Sequence, residues 1–182
     1  MFFLILGVAL WSAAHLAKRV VPGFHKSLGG SERPMVTAAL IIAVLLMIWG
    51  YRSADGDIWW GPTAALKGIN NLMVLAGFYL FAAAGMKTAI TRKLRHPMLT
   101  GFILWSAGHL LVNGDLPSLI LFGGLTLWAL AEIVLINRAE RWTPPQGPLN
   151  PRKEIMALIG GVIVFGVVAM IHKWLGYNPF GA

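Results

Sequence analysis

"GFILWSAGHL" at Gly101–Leu110 repeats a phrase already present as "GVALWSAAHL" at Gly7–Leu16. Seven of the ten positions are identical and in register, ninety-four residues apart. Each copy is apolar except for one serine and one histidine, and each sits in equally apolar surroundings. That pattern decides the fold class, because the whole chain shares it. Of 182 residues, 57% are hydrophobic and 12% charged, and the mean hydropathy is +0.70. A soluble domain carries about 25% charged residues. The chain therefore reads as an integral membrane protein with no room for a sizeable soluble domain.

Six apolar runs have lengths suited to crossing a bilayer. They are Phe2–Ala17, Met35–Tyr51, Ile69–Met86, Pro97–Val112, Pro117–Asn137 and Glu154–Trp174. A backbone facing lipid must satisfy its own hydrogen bonds, so all six are expected to be helices. Pro34, Pro97 and Pro117 stand at helix starts, where a missing N–H costs little. "TPPQGPLNP" at Thr143–Pro151 is a loop. The expected fold is an all-α membrane bundle of six helices in a single domain, residues 1–182.

The bases orient it. Loop one holds Lys18, Arg19, Lys26 and Arg33, loop three Lys87, Arg92, Lys93 and Arg95, and loop five Arg138, Arg141, Arg152 and Lys153. Loop two has only Arg52 and Lys67, beside Asp55 and Asp57, and loop four ("NGDL") has none. Basic loops stay in the cytoplasm, which places both termini outside, in the periplasm of a bacterial inner membrane. No base precedes the first apolar run, so Phe2–Ala17 is read as a retained span rather than a cleaved signal. Helices one and four then run in opposite directions, and the repeated phrase is an inverted repeat of one helix.

Several function classes drop out. With no cysteine, disulfides, thiolate metal sites and covalent haem attachment are excluded. The net charge of +8 lies in loops between spans, so lipid headgroups explain it better than nucleic acid. There is no phosphate-binding glycine loop, H-E-x-x-H or G-x-S-x-G.

Gly7, Trp11 and His15 are spaced by four, as are Gly101, Trp105 and His109. Glycine, indole and imidazole therefore share one stripe of each helix. Such a stripe suits a helix-packing seam with a hydrogen-bonded histidine. It equally suits one wall of a flat cofactor pocket with an axial ligand, and polar groups inside membranes lean towards function. His96, in "RKLRHPM", is either interfacial or, with Arg95, a partner for acidic cofactor groups. His172 lies near the outer end of helix six, where interfacial anchoring is the plain reading. Glu132, inside helix five, needs a partner on the cytoplasmic side. His25 reads as a solvated loop residue.

At "RHPMLTGFILWSAGHLLVNGDLPSLILFGG", Arg95–Gly124, the chain resembles the NnrU family of bacterial membrane proteins. The resemblance rests on the "HPM", "LW", histidine and "NGD" elements. His15 followed by bases and "GSERP" also fits, as do the size and span count. It implies a role in denitrification, where members support nitrite and nitric oxide reduction. The same domain occurs in the plant zeta-carotene isomerase, a membrane haem b enzyme. By motif its two haem-ligating histidines fall on His15 and His109, and the histidine of its "RHP" element on His96. The plant enzyme has a cysteine three residues before its second ligand, where this chain has Ser106. A hydroxyl is a poor substitute for a thiolate towards iron.

The topology argues against that ligand pair. His15 is near the cytoplasmic end of helix one and His109 near the outer end of helix four. At about 1.5 Å per residue their depths differ by about 15–20 Å. His109 is therefore expected to be the first ligand, with His15 ranked second on resemblance and His172 third on depth. Alternatively, His15 joins His96 and Glu132 in a cytoplasmic-side cluster.

The expectation is a membrane protein binding non-covalent haem b through these histidines. Trp11 and Trp105 would enclose the ring, and Arg95, His96, Ser106 and Glu132 would be further cofactor-site residues. Its role would be redox or sensing chemistry in nitrite and nitric oxide metabolism, with membrane redox partners. The alternatives are a haem-dependent isomerase of a carotenoid or other apolar polyene, and a non-haem assembly factor or transporter.

Overall fold

Every apolar run except Pro97–Val112 continues past its polar flanks into a longer helix. In the computed structural model, which describes residues 1–23, 27 and 29–180, six principal helices are present. They are α1 (Phe2–Val20), α2 (Glu32–Arg52), α3 (Ala64–Met86), α4 (Pro97–Val112), α5 (Leu116–Ala139) and α6 (Pro151–Trp174). The largest departure from expectation is α3, which starts at Ala64 rather than Ile69. Thr63 caps it by accepting a hydrogen bond from the Leu66 amide, and Lys67, Asn70 and Asn71 then lie within the helix. Hydropathy stops at such side chains, but backbone hydrogen bonding does not. His25 and Lys26 lie outside the described residues.

Five of the helices are long and apolar enough to cross a membrane, and α4 is a shorter apolar helix. The outward faces carry the apolar residues that water would reject. Ile41, Leu45 and Ile48 on α2 and Ile155, Ile159 and Ile163 on α6 are all exposed. The fold is an all-α integral membrane bundle.

α1 packs on α2 and α3 on α4, while α6 lies against α3 and α5 lies against both α1 and α4. The repeated glycines set the first two contacts. A Cβ at Gly7 would stand 2.8 Å from the Met47 backbone nitrogen on α2. A Cβ at Gly101 would stand 2.7 Å from the Gly77 carbonyl oxygen, and the reverse holds for Gly77. Helices in lipid gain from such close backbone approach. The two copies of the phrase thus do the same packing work in two different helix pairs. At the centre, Leu4, Met47 and Leu125 are buried, with Trp11, Tyr51, Phe102 and Trp105 packed around them.

The bundle has two dissimilar ends. The terminal end holds Met1, the loop after α2, the α4–α5 turn and the end of α6. The basic end holds the other connections. At the terminal end the residues read as loops two and four form a small sheet instead. Strand β1 (Ile58–Trp60) pairs antiparallel with β2 (Gly114–Asp115), with Ile58 opposite Asp115 and Trp60 opposite Gly114. Two or three residues of pairing carry no periodicity to read. The "NGD" element is explained here. Asn113 Nδ2 donates to the His109 carbonyl, Gly114 leaves room for the Trp60 ring, and Asp115 caps the next helix through the Ser118 amide.

Candidate functional site: a histidine-lined cavity

The two repeated histidines are built alike. His15 Nδ1 donates to the Trp11 carbonyl at 2.9 Å, and His109 Nδ1 to the Trp105 carbonyl at 2.8 Å. Each ring lies against the tryptophan one turn earlier, at 4.4 Å for Trp11–His15 and 5.1 Å for Trp105–His109. His172, on α6, repeats the device by donating from Nδ1 to the Val168 carbonyl at 2.8 Å. Fixing Nδ1–H on a carbonyl sets the tautomer and leaves Nε2 with its lone pair, the arrangement usual in metal-ligating histidines.

Their surroundings differ. The His109 ring stacks on Phe122 at 4.8 Å and faces the His172 ring at 6.4 Å. Phe122 sits in a π-helical turn, Leu119–Gly123, that interrupts α5. The extra residue in such a turn re-aims neighbouring side chains, and these turns are frequent at functional sites. The His15 ring instead touches Trp11 and Trp128, at 4.4 and 4.6 Å. Phe102 and Trp105 continue the aromatic run from Trp11 to His109. His15 and His109 thus belong to opposite ends of one aromatic run, whereas His109 and His172 meet.

A cavity of about 840 Å³ opens beside that meeting point. His109, His172, Trp11 and Trp105 line it, with Val44, Met47, Phe102, Leu121, Phe122 and Phe165 supplying apolar wall. Besides the histidines, the polar lining is Tyr51, Arg52, Lys67, Asn70, Asn71, Asn113 and the segment after α6. Asn71 Nδ2 ties that segment down by donating to the Pro179 carbonyl at 2.9 Å. Asn70 Oδ1 is buried and has no hydrogen-bond partner. Sequence reasoning missed Arg52, Lys67, Asn70 and Phe122. The one available signal was that Arg52 and Lys67 are the only bases in an otherwise base-poor loop.

The remaining candidate residues lie elsewhere. Ser106 is fully buried and turned towards α5, sharing a 2.7 Å hydrogen bond with Thr126 and donating to the Phe102 carbonyl. Glu132 does find the partner it needs, since Arg19 Nη1 donates to its Oε1 at 2.6 Å. Arg95 donates to the Glu140 carbonyl at 2.7 Å, and His96 Nε2 to the Asn137 amide oxygen at 2.9 Å. Both line a separate cavity of about 460 Å³ at the basic end. Among the described residues, no three His, Cys, Asp or Glu side chains are grouped to hold a metal ion.

A six-helix membrane bundle with a histidine pair on a large cavity is the class of protein defined by this fold and site. The chain belongs to the NnrU family, whose model, described as "NnrU protein", matches residues 3–179. No curated protein and no solved structure gives a significant match.

Proposed function

We propose that this NnrU protein binds haem b in the large cavity, where His109 and His172 would hold its iron, and serves a redox or sensing role in nitrite and nitric oxide metabolism. The carrying observation is the 6.4 Å between the two ring centroids. Metal–imidazole bonds are about 2 Å long, so two rings at this spacing could hold one metal ion between them. Both rings hold Nδ1 on their own helix and keep Nε2 for a ligand. The cavity supports the reading in size and polarity, since ligand sites run to about 300–1,000 Å³ and are mainly apolar.

Bound haem would supply reversible one-electron chemistry. The chain's own residues position and shield it. Trp11, Phe102 and Trp105 exclude water from one side, and Phe122 fixes the His109 ring. The lipid-facing helices keep the surroundings apolar. By the distribution of bases the terminal end faces the periplasm, so the histidine pair lies in the periplasmic half of the membrane.

The test is an absorption spectrum of gently solubilised, haem-supplied protein, oxidised and reduced, with a pyridine haemochrome assay. About one haem b per chain with a sharp reduced α band is expected. His109→Ala and His172→Ala should each abolish that low-spin spectrum, while His15→Ala retains it. A featureless spectrum from folded wild-type protein would sink the haem reading. Loss of the spectrum in His15→Ala but not in His172→Ala would move the ligand to α1.

A further inference from the structure

The six helices form an open arc. Packed neighbours run in the order α2, α1, α5, α4, α3, α6, and the two end helices, α2 and α6, are not principal packing partners. Both nevertheless line the large cavity, α2 through Val44, Met47 and Ile48 and α6 through Phe165, Val168 and Ala169. We infer that the cavity opens sideways into the bilayer between α2 and α6, and that its ligand, a large apolar molecule dissolved in the membrane, enters there. For the identity of that molecule the inference rests on the haem reading, under which it is haem b.

Close contacts seal the other seams of the arc. Gly7 and Gly50 bring α1 and α2 together, and Gly124 of α5 meets Val8 of α1. The Ser106–Thr126 hydrogen bond joins α4 to α5. Gly77 and Gly101 join α3 to α4, and Gly161 joins α6 to α3. No glycine among the described residues brings α2 against α6, and Gly160 and Gly166 of α6 meet nothing within 4 Å. In water an apolar gap of this kind would close. Lipid tails are as apolar as the side chains, so no hydrophobic force closes it in a bilayer. Val44 and Ile48 line the cavity and are themselves 39% and 54% exposed. From Val44 to Tyr51 this edge is about 10 Å tall, at about 1.5 Å per residue. The terminal end is less passable. Leu175–Pro179 lie along the cavity there, and Asn71 holds them by the hydrogen bond to the Pro179 carbonyl. A large molecule entering from water would have to displace that segment, whereas one entering from lipid meets apolar side chains throughout.

The chain contains no cysteine, so a single introduced cysteine carries a nitroxide spin label without background. Leu121, on α5, lines the cavity at the middle of the arc, across from the opening. In haem-free protein reconstituted into vesicles, the label on Leu121→Cys should collide with oxygen, which concentrates in lipid, and not with a water-soluble nickel chelate. Leu45→Cys, on the exposed face of α2, sets the lipid value, and Gln146→Cys the aqueous value. Ile48→Trp/Val168→Trp places two indoles in the opening. It should remove most of the oxygen effect at Leu121→Cys. It should also slow severalfold the uptake of haemin preloaded into the vesicle bilayer, followed at the Soret band. Leu45→Trp should do neither. If the double variant does not fold, Ile48→Trp alone, at an exposed position, should give part of both effects. A label reached by the nickel chelate, or by neither reagent, overturns the inference, as does haemin uptake unchanged in the Ile48 variants. Folded wild-type protein that takes up no haemin refutes the haem reading separately, and the oxygen readings then decide the opening alone.

Discussion

His109 and His172, on α4 and α6, face each other at 6.4 Å although α4 and α6 are not principal packing partners. α3 is the intermediary, since both helices dock on it. Gly77 and Gly101 bring α3 and α4 into backbone contact, and a Cβ at Gly161 of α6 would stand 3.0 Å from the Tyr79 backbone. Three glycines therefore determine where two imidazoles meet.

The first prediction concerns the ligand pair itself. His109→Gly and His172→Gly should each lose the low-spin haem spectrum and regain it with millimolar imidazole. The cavity left by the missing ring keeps its walls. Absorbance titration with imidazole reads the result, and a variant that never bound haem there would show no recovery.

The docking of α3 on α4 should be intolerant of one methyl group. Gly101→Ala puts a Cβ 2.7 Å from a carbonyl oxygen that has no room to withdraw. The expected cost is about 1–3 kcal/mol, read as a lower unfolding midpoint in detergent, with faster haem loss alongside. Gly68→Ala, where nothing stands within 4 Å, is the control and should be neutral or slightly stabilising.

At the other end, Arg19 and Glu132 form a largely buried pair, with side-chain exposures of 26% and 9%. Arg19→Met leaves a carboxylate without its counter-charge and should destabilise the protein by about 3 kcal/mol. Adding Glu132→Leu should recover much of that loss, because neither charge then needs solvating. Thermal unfolding of the two single variants and the double variant measures the coupling.

The segment after α6 covers the cavity through the Asn71–Pro179 hydrogen bond. Asn71→Ala should leave the spectrum intact and speed haem transfer to apomyoglobin. A bond worth about 1 kcal/mol corresponds to roughly fivefold. An unchanged transfer rate would mean that this segment does not control release.

Sidedness has a direct readout because the chain contains no cysteine. Ser53→Cys, at the terminal end, should react with a membrane-impermeant maleimide in intact cells. Gln146→Cys, at the basic end, should react only after permeabilisation. The reverse pattern would invert the topology and move the histidine pair to the cytoplasmic half.

The sequence by itself determined the membrane class, the six apolar helices and the alternation of bases. It also determined the glycine–tryptophan–histidine stripe, because hydropathy and a period of four are local properties of a helix. Depth was legible as well. Counting residues along α1 and α4 was enough to separate His15 from His109 and to put His172 at the level of His109. Glu132 announced its need for a partner, and the partner, Arg19, came from a helix 113 residues away. Only the tertiary structure decided which side chains share a site. A sequence gives each residue its height along its own helix but not which neighbour the helix turns it towards. That azimuth was set by the glycine contacts on α3 and by the π-helical turn that aims Phe122 at His109. The short β1–β2 pairing followed from the same packing, since residues from separate loops meet only where their helices end together.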